Sequence, residues 1–139
     1  MTENQLEKFI CLIQRNKYEI ESIQYSSSTF KKVLIIKPKC FLVPTILVTF
    51  TDISFLRGED LLPEVEVLNK QLNNNKPLII MLIMTTNIEL KDNYWSNGNI
   101  FVHLVVHDEA INCLYYEKNF HYLGSKDVRN LINLLQQTL

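Results

Sequence analysis

The chain has 139 residues, of which 47% are hydrophobic and 21% charged, and its formal net charge is −1. A chain of that size forms one domain, residues 1–139, with its own core. Its near-neutral balance announces neither the basic face of a nucleic-acid-binding protein nor an acidic tail that would call for a basic partner.

The three cysteines form no CxxC pair and no zinc-like cluster, so free thiols in a cytoplasmic setting are expected rather than a disulfide framework. The polar start, Met1 to Phe9, does not have the pattern of a secretory signal. The longest apolar run, from Leu78 to Met84, falls far short of the roughly 20 residues that span a bilayer, so no membrane insertion is expected. Glycine is scarce and no GxGxxG or GxxxxGK[ST] pattern occurs, which argues against a nucleotide-binding loop.

In chain order, Thr2 to Arg15 reads as an amphipathic helix with Leu6, Phe9, Ile10 and Ile13 on one side. Tyr18 to Tyr25 reads as a strand, Ser26 to Thr29 as a turn, and Lys32 to Lys37 as a second strand. Phe41 to Thr51 is the longest strand candidate, and Pro44 places it at an edge or marks a bulge. Connections this short make the three strands an antiparallel meander. Asp60 is positioned to cap a helix reaching Asn73, with Leu61, Val65, Leu68 and Leu72 as its apolar stripe. Leu78 to Thr86 is a fully buried strand. A polar loop or hairpin around Trp95 follows, then a strand from Asn99 to His107 and a second strand or irregular segment from Ala110 to Tyr116. Ser125 is the expected cap of a last helix that turns Val128, Leu131, Ile132 and Leu135 inward. The expected class is α+β, with a mainly antiparallel sheet of four to six strands and helices packed on it.

All three histidines and one cysteine cluster between Asn97 and His121. Strict alternation puts His103, Val105 and His107 on one face of their strand, expected to be the wetter one, and Val102, Leu104 and Val106 on the other. As a metal pair the two histidines would need a third ligand, and no pattern supplies one, so neither a metal nor another cofactor is expected. Cys113 is either an exposed nucleophile or a buried structural thiol. Cys11 and Cys40 are expected to be structural.

His103 stands ten residues before Cys113, and Leu114 follows it. This spacing resembles that of the ubiquitin-conjugating enzymes, in which a His-Pro-Asn triplet precedes the catalytic cysteine. Leu104 and Val105 stand where that family has Pro and Asn. The order of elements and the position of Phe120 extend the likeness. FLVPTILVTF followed by ISFLRGEDL is similar to the autophagy branch of the family, with Phe41, Pro44, Phe55, Leu56 and Gly58 at its motif positions. That branch carries a His-Pro-Cys triplet. Aligned without gaps, Val105, Val106 and His107 fall on the triplet; with a small insertion, Ile111, Asn112 and Cys113 do.

The resemblance covers roughly residues 40 to 113 and implies a ubiquitin-conjugating-enzyme-like fold. It also implies transfer of a ubiquitin-like modifier, through a Cys113 thioester, to a lysine of a target protein. The implied partners are the modifier, its activating enzyme and the target. His107, Asn112 or His103 would supply an oxyanion donor, and Asp108 or Glu109 would hold the proton of the incoming amine. The same order of elements also resembles that of type III secretion chaperones, small cytosolic dimers that bind a secreted effector. An inactive adaptor with the conjugating-enzyme fold is a third expectation. The chaperone class would make Cys113 inert and put the function on exposed apolar grooves.

Overall fold

The computed structural model describes residues 1–23, 30–51, 58–73, 76–84 and 94–139. The elements run α1 (Glu3–Arg15), β1 (Glu19–Ile23), β2 (Val33–Lys37), β3 (Thr45–Thr51), α2 (Gly58–Asn73), β4 (Leu78–Met84), β5 (Tyr94–Asn97), β6 (Ile100–Asp108), β7 (Cys113–Tyr115) and α3 (Ser125–Thr138). The expected turn at 26–29 and the ends of two expected strands, at 24–25 and 85–86, lie outside the described residues.

The class is α+β, and the sheet is mixed. Its order is β1-β2-β3-β4-β6-β5, with β7 also on β6. β1, β2 and β3 form the expected antiparallel meander. The centre is parallel, however, with β3 against β4 and β4 against β6. Among the described strands four pairings are antiparallel and two, at the centre, are parallel, so the sheet is mixed where an antiparallel one was expected throughout its middle. α2 is long enough to carry the chain back across the sheet, so β4 enters in the direction of β3, which a short hairpin could not achieve. β4 and β6 pair from Leu78↔Ile100 to Met84↔Val106. On the other side of β6, β5 pairs with its first half and β7 with its last residues.

The central strands are buried on both faces because helices cover both. Ile79, Met81 and Ile83 of β4 join Leu6, Phe9 and Ile13 of α1 and Val128, Leu131, Ile132 and Leu135 of α3. The alternate residues Leu78, Ile80, Leu82 and Met84 join Val65 and Leu68 of α2. The unbroken apolar run LIIMLIM is therefore what a strand between two helical layers requires. α1 starts on a capping box, in which Thr2 accepts from the Gln5 backbone N–H and the Gln5 side chain accepts from that of Thr2, satisfying two otherwise orphan donors.

Three boundaries differ from the sequence reading. β3 begins at Thr45, after Pro44, so that proline delimits a strand that lies inside the sheet rather than at its edge. α2 starts at Gly58 rather than at Asp60. Gly124, not Ser125, is the N-cap of α3, because the chain enters that helix through a turn that needs a positive φ.

Candidate functional site

β6 and β7 form a hairpin with Val106 opposite Tyr115, His107 opposite Leu114 and Asp108 opposite Cys113. Asp108 Oδ1 accepts from the Ala110 backbone N–H at 3.0 Å, an Asx turn that starts the reversal. Asn112 ends it at φ 51°, a conformation that asparagine tolerates better than most residues.

The hairpin brings His107 and Asn112 together, with Nε2 2.8 Å from Oδ1. An amide oxygen only accepts, so Nε2 carries the hydrogen and donates it. Asn112 Nδ2 in turn donates to the Leu139 carbonyl at 3.2 Å, tying the hairpin to the end of α3. Both polar ends of this amide are thus engaged within the fold. Asn112→Ala is expected to cost about 2 kcal/mol, from the two hydrogen bonds and the strain of alanine at positive φ. Asn112→Gly is expected to cost about 1 kcal/mol less, because glycine keeps the turn. Urea unfolding of both variants checks the ordering, and equal losses would remove the backbone from the explanation.

Cys113 is not brought to His107. Leu114 is the residue that shares the His107 face, and Cys113 shares the opposite one with Asp108, since alternate residues point to opposite sides of a sheet. The thiol is half-buried, and it donates weakly to the Leu114 carbonyl at 3.8 Å. Tyr115 lies on the same face two residues on; the charge of Cys113, followed by desolvation, raises its hydroxyl pKa. Cys11 and Cys40 are exposed, which corrects the expectation that they fill structural positions.

His103 and His107 share a face, as the alternation required. That face lies under α1 and α3 rather than against water, and the two side chains are 1% and 7% exposed. Four residues of strand also separate them by about 13 Å, so they do not sit side by side. His103 shares a hydrogen bond with the Tyr122 hydroxyl, and its ring lies 4.3 Å from that of Phe120. Arg129 lies over Phe120, 4.3 Å from its ring centroid, and donates to the Phe120 carbonyl at 2.5 Å. Burial, with the Arg129 charge second, lowers the His103 pKa from 6.5 to about 4. His103 is neutral at ordinary pH and packs as part of an aromatic core. Among the described residues no group of three His, Cys, Asp or Glu side chains is placed to hold a metal ion, and no helix is long and apolar enough to cross a membrane.

The surface least explained by folding lies at the β2–β3 connection. Val43 N donates to the Cys40 carbonyl at 3.1 Å, so Phe41 and Leu42 occupy the two central positions of a β-turn. They are 92% and 62% exposed. A second turn lies against the first. Ser125 N donates to the Tyr122 carbonyl at 3.0 Å, and Gly124 between them lies so close to the first turn that a Cβ there would stand 2.9 Å from Val43 Cγ1. Leu123, at a central position of this second turn, is 60% exposed.

Beside the paired turns is an open groove of about 520 Å³, lined by Lys17, Glu19, Lys37, Pro38, Lys39, Cys40, Phe41, Val43 and Thr45. The sequence reading placed Phe41 and Leu42 inside a strand. The signal that could have exposed them was the pair of prolines, Pro38 and Pro44, bracketing the stretch, since neither can donate to a sheet ladder. No family model matches the chain, and no curated protein is significantly similar to it.

Proposed function

We propose that this chain is a non-catalytic protein-binding domain whose contact surface is the tip formed by the two paired turns. The observation that carries this reading is the adjacent pair Phe41 and Leu42, 92% and 62% exposed on a turn held by its own hydrogen bond. Exposed apolar residues scattered singly need no explanation, but a clustered set on a braced tip marks an interaction site. Leu123 enlarges the set from a different part of the chain. Among the described residues the cysteines are free thiols, two of them exposed, which fits a reducing, cytoplasmic setting.

The test is the double variant Phe41→Ser and Leu42→Ser. A photo-crosslinker attached at Cys40, in the same turn, of a Cys11→Ser and Cys113→Ser chain identifies the partner, and the affinity is then measured with purified components. The expected loss is roughly 100-fold, the scale of burying two large apolar side chains at the centre of an interface. Unchanged affinity would remove the tip from the interface.

Thioester transfer on a conjugating-enzyme-like fold is the second reading, favoured by the partial exposure of Cys113 at a hairpin end. In it Cys113 accepts a ubiquitin-like modifier from an activating enzyme and passes it to a target lysine. It predicts a reductant-sensitive adduct when that enzyme, the modifier and ATP are supplied, lost in Cys113→Ser. Failure of native Cys113 to react with a small thiol reagent would end it.

A further inference from the structure

The groove beside the tip has a chemistry of its own. Lys17, Lys37 and Lys39 line it against a single carboxylate, Glu19, and Glu19 stands directly across the strand pair from Lys37. Three ammonium groups around one carboxylate leave a local excess of positive charge in a chain whose net charge is −1. Lys17 is held there by a positive φ of 65° between α1 and β1, and Lys39 Nζ lies 5.6 Å from the Tyr18 ring centroid. Two of the three lysines are thus positioned by the fold.

Within the groove Phe41 and Val43 provide apolar wall. Among the described residues β1 is the terminal strand of the sheet order, and its first residue lines the same groove. An outer strand edge offers backbone donors and acceptors to an extended chain.

We infer that the groove takes an extended acidic segment of a partner protein. Its carboxylates meet Lys17, Lys37 and Lys39, its backbone runs along the start of β1, and one apolar side chain lies against Phe41. This rests on the reading of the tip as a protein-binding surface, and it gives that partner a charge and a shape. A peptide fits better than a nucleic acid. Glu19 sits in the groove, and Glu21 is exposed two residues along the same strand, and both repel a continuous phosphate backbone. A segment with spaced carboxylates can leave those positions uncharged.

The test uses a fluorescein-labelled synthetic peptide that alternates glutamate with leucine, its lysine-for-glutamate counterpart, a short oligouridine and phosphatidylserine vesicles. The expected result is binding of the acidic peptide alone. That binding should weaken roughly 10-fold in the double variant Lys37→Glu and Lys39→Glu and several-fold between about 50 and about 300 mM salt. All substituted residues are exposed, and thermal unfolding confirms that each variant folds. Equal binding of the lysine peptide, tighter binding of oligouridine or vesicles, or indifference to the charge reversal would each overturn the inference.

The partner captured through Cys40 separates the two proposals. Loss of its binding on Phe41→Ser with full retention on charge reversal leaves the tip standing and removes the acidic occupant. Retention in both sets of variants removes both.

Discussion

Replacing Gly124 with valine is expected to lower the unfolding free energy by about 4 kcal/mol, with a fall in Tm of roughly 12 °C. Two independent costs combine. Gly124 has φ 104° and ψ −3°, the geometry of the third residue of a type II turn, where only glycine is at ease. A Cβ there would also stand 2.7 Å from Ile79 Cδ1 and 2.9 Å from Val43 Cγ1. Ile79 is fully buried in the central strand, and the branched Val43 side chain is stiff, so neither yields freely. Gly124→Ala should show the same effect at about 3 kcal/mol.

A double variant with Val43→Ala separates the terms, because it opens the space without changing φ. About 1 kcal/mol of coupling between the two sites is expected. Additive losses would mean that the close approach to Val43 carries no cost, and a Gly124→Ala chain as stable as the parent would refute both terms. Because Gly124 braces Val43, its substitution should also displace the Phe41 turn and weaken partner binding.

Acid is expected to destabilise the fold through His103 by about 3 kcal/mol, the free energy of a pKa held at about 4 rather than 6.5. Above pH 6.5 the histidine is neutral in both folded and unfolded chains, and the effect is absent. Between pH 6.5 and about 4 the unfolded chain takes up a proton that the buried ring refuses, so stability falls as pH falls. Below about 4 both forms are protonated and the loss is complete. The cause is burial under Phe120 and Tyr122, reinforced by the Arg129 charge.

His103→Gln removes the titration while keeping a side chain able to bond the Tyr122 hydroxyl. Its stability relative to the parent should therefore shift by about 3 kcal/mol in its favour between pH 7 and pH 4. Parallel stability curves for the two proteins would show that His103 is not held neutral. Carboxylates common to both proteins cancel in the comparison.

Periodicity alone was enough to mark the helices and most strands. Leu6, Phe9 and Ile13 recur at helical spacing and are buried, as are Val128, Leu131, Ile132 and Leu135, because one apolar stripe leaves a helix a single way to lie on a sheet. The run LIIMLIM announced a strand buried on both faces for the same reason. Alternation also assigned His103, Val105 and His107 to one face.

Other features required the folded chain. The direction of β4 depends on how α2 crosses the sheet, and no local pattern records that. Whether the His103 side chain is wet or dry depends on Phe120, Tyr122 and the α3 residue Arg129, all well beyond it in the chain, which supply the cover. The separation of Cys113 from His107 follows from a hairpin register, in which one residue of slip would reverse every side chain. Spacing along the chain placed these residues near one another in sequence, and pairing placed them on opposite sides of the sheet. The exposure of Phe41 and Leu42 is likewise tertiary. They have the composition of a strand, but Pro44 delays the start of β3 until Thr45, and the Gly124 turn packed against Val43 holds them out in solvent.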